Sequence, residues 1–156
     1  GFKHLFFEEN KNPRITLYNH SFFHNFNLSL VPIGKGRKST DVLKSLDIEK
    51  RKTLYEDVLK GDKLINSQFF NKLNNLILKG WEKKKLTSPL ISNEEVIKTE
   101  NYLKNYNKTN NNCIVSYKLC GAGNGGYMLI ISNNICSFNK GININIDNRG
   151  IKSWKL

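Results

Sequence analysis

The apolar residues of this chain change their spacing twice along its length, and that double change limits the folds open to it. In the first part they alternate. Phe26, Leu28 and Leu30 stand against Asn27 and Ser29, a period of two that puts the apolar side chains on one face of a strand ending at Pro32. Residues 1–18 read as two further strands joined by the Asn-Lys-Asn-Pro turn at 10–13, with Ile15 and Leu17 alternating after it. From Val42 the spacing becomes three and four. Val42, Leu43 and Leu46 begin it, Leu54, Val58 and Leu59 carry it to an expected stop at Gly61, and Ile65, Phe69, Leu73, Leu76 and Ile77 form one stripe with an expected stop at Gly80. Ser92 and Glu95 make a capping-box pattern for a helix carrying Val96, Ile97, Leu103 and Tyr106, and the Asn-rich stretch 101–112 is expected to fray into a loop. Alternation then returns at 113–119, 127–132 and 142–146, followed by an Asn148-Arg149-Gly150 turn and a short strand containing Trp154. Strands, a helical block and strands again predict an α+β domain: two layers, a mainly antiparallel sheet packed by helices. We see no internal repeat or linker, so one domain is expected over residues 1–156.

Composition supports a folded core and bounds the function. Hydrophobic residues are 38% and aromatics 11% of the chain, enough to bury a core in 156 residues. No apolar run is long enough to cross a bilayer as a helix, and no signal-peptide pattern opens the chain. The chain starts at Gly1 and its one methionine is Met128, which we read as a piece of a longer protein. Cys113, Cys120 and Cys136 are an odd number without metal-ligand spacing, so reduced thiols and a cytoplasmic location are expected. The net charge of +12 attracts anions, whether nucleic acid or a phosphorylated small molecule, although the lysines are scattered.

The strongest local signal is Gly121-Ala122-Gly123-Asn124-Gly125-Gly126 between two strand-like runs. Gly121, Gly123 and Gly126 satisfy the G-x-G-x-x-G dinucleotide spacing, but that fingerprint needs a helix opening directly after it, and here a β-type run, Tyr127-Met128-Leu129-Ile130-Ile131, follows. A loop so rich in glycine permits positive φ and lets a ligand reach backbone N–H groups. It serves equally as a tight turn, or where another backbone packs closely.

The run from Lys118 to Tyr127, Lys-Leu-Cys-Gly-Ala-Gly-Asn-Gly-Gly-Tyr, resembles the third motif of GHMP kinases, K-x-x-G-A-G-G-G-G. That superfamily includes galactokinase, homoserine kinase, mevalonate kinase and phosphomevalonate kinase. Two more stretches resemble one branch of it, the kinases of D-glycero-D-manno-heptose 7-phosphate. Gly80-Trp81-Glu82-Lys83-Lys84-Lys85 followed by Ile91-Ser92-Asn93 is similar to their G-W-x-x-K-K … I-S-N pattern, and Leu28 to Leu43, with Gly34, Gly36, Arg37, Ser39 and Asp41-Val42-Leu43, resembles their T-G-x-S-R-x-S segment. Gly1-Phe2 resembles the end of their F-G-G-x-N stretch. The departures are Asn124 for glycine, Ser116-Tyr117 for a Gly pair, and Gly36 for serine; a side chain at 124 is expected to narrow access to the loop, with Tyr117 adding bulk nearby.

The resemblance implies a ferredoxin-like C-terminal domain of an ATP- and Mg²⁺-dependent sugar kinase, with the first strands belonging to the tail of an N-terminal domain. It implies that the ATP loop, the magnesium carboxylate and the catalytic Asp lie in that N-terminal half, which is then the partner of this chain; no catalytic residue and no metal ligand is expected here, and the chain alone is expected to be inactive. What it implies for this chain is one wall of a cleft, in which Gly121, Ala122, Gly123, Asn124, Gly125 and Gly126, with Arg37 and Lys118, meet phosphate or a sugar phosphate. Arg37 suits such a contact because its planar guanidinium can grip an anion with two hydrogen bonds. Lys83 to Lys85 read as a solvated helix end or loop, Trp81 as a packing residue, and His20 and His24 lack a third metal ligand nearby. The rival reading is a basic α+β module that binds nucleic acid without catalysis, which the charge favours. Against it, the aromatics at 2–7, 22–26 and 69–70 are not interleaved with basic pairs.

Overall fold

A computed structural model of the chain describes residues 2–7, 10–18, 25–34, 39–66 and 69–145. Strands β1 (Phe2–Phe6) and β2 (Arg14–Tyr18) form an antiparallel hairpin of their own, with Leu5 opposite Ile15. The remaining strands, β3 (Phe26–Ile33), β4 (Ile114–Leu119), β5 (Gly126–Asn133) and β6 (Ile142–Ile144), make one antiparallel sheet in the order β4-β5-β3-β6. Numbered from the first strand of this sheet, that is the order of a ferredoxin-like fold, in which a helical crossover lets a later strand insert between the first two. The first crossover is a helical block: α1 (Ser39–Lys44), α2 (Ile48–Asn66), α3 (Phe70–Leu86) and α4 (Glu94–Thr109). The second, residues 134–141, is a loop.

The register places Val31 opposite Met128 and Leu119 opposite Met128 in turn, so that Ile33, Met128, Ile130, Tyr117 and Leu119 meet Trp81, Val96 and Leu103 of the helices in one buried cluster. The apolar stripe predicted from Ile65 to Ile77 is divided between α2, which carries Ile65, and α3, which carries Leu73, Leu76 and Ile77; Leu73 is buried, the other three are partly buried, and Phe69, ahead of α3, is exposed. Among the described residues no helix is long and apolar enough to cross a membrane.

Several boundaries differ from the expectations above. Neither Gly61 nor Gly80 stops a helix: α2 and α3 run through both. A lone glycine weakens a helix by only about 1 kcal/mol, which packing outweighs. Gly61 lies where the two helices meet, since a Cβ there would stand 3.6 Å from Leu76 and 3.9 Å from Leu73. Helix α3 ends instead at Thr87, whose N–H and hydroxyl both donate to the Lys84 carbonyl, at 3.0 and 2.8 Å, just before Pro89. Helix α4 is capped by Asn93, not Ser92: the Asn93 Oδ1 accepts from the Val96 N–H at 2.9 Å, and Glu95 pairs with Lys98. The asparagines after α4 are ordered by hydrogen bonds. Asn111 and Asn112 adopt positive φ of 53° and 51°, and the Asn107 amide clamps Ile114 by accepting from its N–H and donating to its carbonyl.

The cysteine expectation is also corrected. Cys113 and Cys136 are joined in a disulfide with Cα atoms 5.3 Å apart, leaving Cys120 as the free thiol. Asn133 brings the two together, its N–H donating to the Cys113 carbonyl and its carbonyl accepting from the Cys136 N–H, each at 2.9 Å. A 23-residue separation hid a pairing that the β4–β5 register creates. Reduced thiols therefore lend no support to a cytoplasmic location.

Candidate functional site

The glycine loop joins β4 to β5 and is built as a strained surface on the 88–93 connection. Positive φ runs through it, at 76° for Gly121, 130° for Gly123, 64° for Asn124, 134° for Gly125 and 93° for Gly126. Only glycine adopts most of these values readily, and asparagine is the side chain that tolerates the αL value at 124. At Gly123 the glycine is required twice over. A Cβ there would lie 2.9 Å from the Ile91 Cα, and Ile91 is fully buried. The Asn124 N–H donates to the Ile91 carbonyl at 2.7 Å, and the Asn93 Nδ2 donates to the Asn124 carbonyl and Oδ1 at 3.0 and 2.9 Å. Asn93 thus caps α4 with its oxygen and pins the loop with its nitrogen.

This geometry corrects the two steric expectations. The Asn124 side chain is buried against Asn93 and does not narrow the loop's open side. Tyr117 points into the core, where burial first, and then the charges of Glu100 and Glu82, push its hydroxyl up to about 12.

Lys118 is exposed near the end of β4, beside the loop as expected. Arg37 lies outside the described residues, as do His20, His24 and Trp154. The strand before it ends at Ile33, cross-strand partner of Gly126, so the chain leaves the sheet at Gly34 next to the loop. Among the described residues no three His, Cys, Asp or Glu side chains converge as a metal-binding group.

The residue that sequence reasoning missed is Lys84. The run Lys83 to Lys85 is not a solvated end, because each lysine docks on a different element. Lys83 pairs with Asp57 of α2 at 2.7 Å, Lys85 with the buried Glu100 of α4 at 2.8 Å, and Lys84 donates to the Gly121 carbonyl at 2.5 Å. Burial pushes the Lys84 ammonium below its ordinary range, and the nearby Lys118 charge adds to this, partly opposed by Cys120. Consecutive residues on a helix point about 100° apart, so a lysine triplet necessarily addresses three directions. The signal available in sequence was the i, i+3 spacing of Lys84 from the apolar Trp81.

The loop therefore presents two ammonium groups. Among the described residues, the N–H groups of Gly121, Ala122 and Gly123 donate to no backbone carbonyl, and Lys118 makes no ion pair. Free N–H donors in a positive-φ loop beside paired lysines fit an anion such as phosphate.

No protein-family model matches the chain, and no curated protein matches it. Among solved structures it is similar to mevalonate kinase of L. major in complex with R-mevalonate, at a TM-score of 0.60 and 16% identity, over 83% of this chain and 39% of that one. The chain shares its fold with part of a GHMP-superfamily kinase. It spans about two fifths of that enzyme's length. The α+β architecture expected from the double change of apolar period is thereby matched to a known fold, while at this identity the likeness carries no substrate.

Proposed function

We propose that this chain is the C-terminal portion of an ATP-dependent kinase that phosphorylates a sugar or sugar phosphate, with D-glycero-D-manno-heptose 7-phosphate as its leading substrate. The observation that carries the reading is the Lys118–Gly126 segment. It resembles the third GHMP motif and stands on the fold shared with mevalonate kinase as a loop with free N–H groups and two lysines. The finer assignment to heptose 7-phosphate is supported by the Gly80–Lys85 and Ile91–Asn93 resemblance, to which the geometry gives physical roles: Lys84 holds the loop's first carbonyl, and Asn93 and Ile91 hold its middle.

Phosphoryl transfer asks a protein mainly to position phosphates and to stabilise charge on their oxygens. In this reading bound ATP supplies the phosphoryl group and Mg²⁺ offsets its charge, both held mainly by an N-terminal half. The loop N–H groups, Lys118 and Lys84, with Arg37 as the expected further contact, orient the phosphorylated acceptor from the other wall. The test is ADP release by the full-length protein with ATP, Mg²⁺ and a panel of hexose, heptose and heptose 7-phosphate acceptors, beside the 156-residue chain alone. Turnover with a sugar or sugar phosphate by the full-length protein, and none by the chain alone, is the expected result. No turnover with any acceptor, or equal turnover by the chain alone, overturns it.

A further inference from the structure

Helices α2 and α3 pack antiparallel but do not close completely against each other and β4. They leave a groove of about 310 Å³ with walls made by Leu54 and Val58 on one side and Leu73, Leu76 and Ile77 on the other. Two glycines line it: Gly61, where the helices come close, and Gly80, where a Cβ would meet nothing within 4 Å and the groove is open. Along α3 the wall runs from Leu73 to Lys84, about 16 Å of helix.

The chemistry of the groove is asymmetric. Its length is apolar, and Lys84 and Lys118 line it together at the Lys84 end. Its one acidic lining residue, Asp57, is already neutralised by Lys83 at 2.7 Å. Among the described residues Lys84 has the Gly121 carbonyl as its one hydrogen-bond partner and Lys118 has no ion pair. Burial, and then the like charge of Lys118, push the Lys84 ammonium below its ordinary range, partly opposed by Cys120. A site of this size with apolar walls and a few convergent polar groups has the make-up of a small-molecule pocket.

We infer that the α2–α3 groove binds a single-chain amphiphilic anion, with its hydrocarbon chain along Leu73, Ile77 and Val58 and its phosphate or carboxylate head between Lys84 and Lys118. A purely polar sugar phosphate would leave the apolar walls uncovered, and a neutral alkane would leave the two lysines uncompensated. The head competes with the Gly121 carbonyl for Lys84, so occupancy of the groove loosens a tether of the glycine loop. This inference does not depend on the kinase reading.

The test is calorimetric titration of the 156-residue chain with decyl phosphate and decanoate, below their micellar concentrations, beside decanol and inorganic phosphate. Both anions should bind, with decyl phosphate and decanoate separating the two possible heads, and octyl phosphate should bind about 15-fold more weakly than decyl phosphate, at about four-fold per methylene. Inorganic phosphate and decanol should each bind at least 10-fold more weakly than the anionic amphiphiles. Gly80→Leu fills the groove at a helical position where leucine is the better helix former, so the variant should stay folded by circular dichroism and lose binding. Lys118→Gln, an exposed position, should weaken both anions and leave decanol unchanged. Binding that is unaffected by Gly80→Leu, insensitive to chain length, or absent for both anions would overturn the inference.

Discussion

The N–H of Asn124 donates to the carbonyl of Ile91 at 2.7 Å, tying a loop with a run of positive φ values to a fully buried residue. The glycine loop is thus a layer of the core at its middle and a free surface at its start. Substitutions across it divide accordingly.

At the middle, Gly123→Ala should destabilise the fold by about 2–4 kcal/mol, because the new Cβ meets the Ile91 backbone at 2.9 Å and φ is 130°. Urea unfolding measures it. A loss below about 0.5 kcal/mol would mean that the loop does not rest on Ile91.

At the start, a Cβ on Gly121 meets nothing within 4 Å and φ is 76°. Asparagine tolerates that conformation, so Gly121→Asn and Gly121→Asp should be of similar stability. If the loop receives a phosphate in the proposed kinase, Gly121→Asp should lower kcat/KM of the full-length protein on the order of 100-fold, and Gly121→Asn far less. Equal kinetics for the two variants would argue that the loop only turns the chain.

Asn93 performs two tasks with two atoms, and two substitutions separate them. Asn93→Asp keeps the cap oxygen on the Val96 N–H and loses the donor to Asn124; Asn93→Ala loses both. The alanine variant should be less stable than the aspartate variant by roughly 1 kcal/mol, the worth of the cap. Thermal melts of the pair check this, and identical melting temperatures would remove Asn93 as the cap.

Buried Glu100 accepts from the Trp81 Nε1 at 2.5 Å and from Lys85 at 2.8 Å. Lys85→Met leaves that carboxylate without its cation and should cost about 3 kcal/mol. Adding Glu100→Gln, which keeps an oxygen for Trp81, should restore most of it. A double variant no more stable than Lys85→Met would show that the pair is not coupled.

Two groups link stability to alkaline pH in the same direction. Tyr117 is raised to about 12 by burial and by the Glu100 and Glu82 charges. For Lys85 burial disfavours the charged form, but its bonds to Glu100 and Glu82 outweigh this and raise it above its ordinary value of 10.5. Each raised group contributes stability that is complete below its unfolded pKa and is lost as pH climbs through the folded one. Stability should therefore fall between pH 10 and about 12. Tyr117→Phe should remove on the order of 2 kcal/mol of that fall. A slope unchanged by Tyr117→Phe would exclude Tyr117 as its source.

What the sequence alone determined is whatever depends on neighbours along the chain. Alternation at Phe26–Leu30 and 142–146 marked strands, the three-and-four spacing through Leu73 marked a helix that buries that leucine, and the placement of helices between strands marked an α+β fold. The glycine loop was legible too, because positive φ and close approach require glycine wherever they occur. Tertiary structure decided what depends on residues distant in sequence. Helices continued through Gly61 and Gly80 because packing outweighs a local weakness of about 1 kcal/mol. Cys113 met Cys136 because Asn133 holds both, Asn93 became the cap because it also had Asn124 to hold, and Lys84 met the glycine loop because α3 lies against it 37 residues further on. Periodicity reports which face of an element is buried, but not which element will cover it, and the chemistry of a site is set by that second choice.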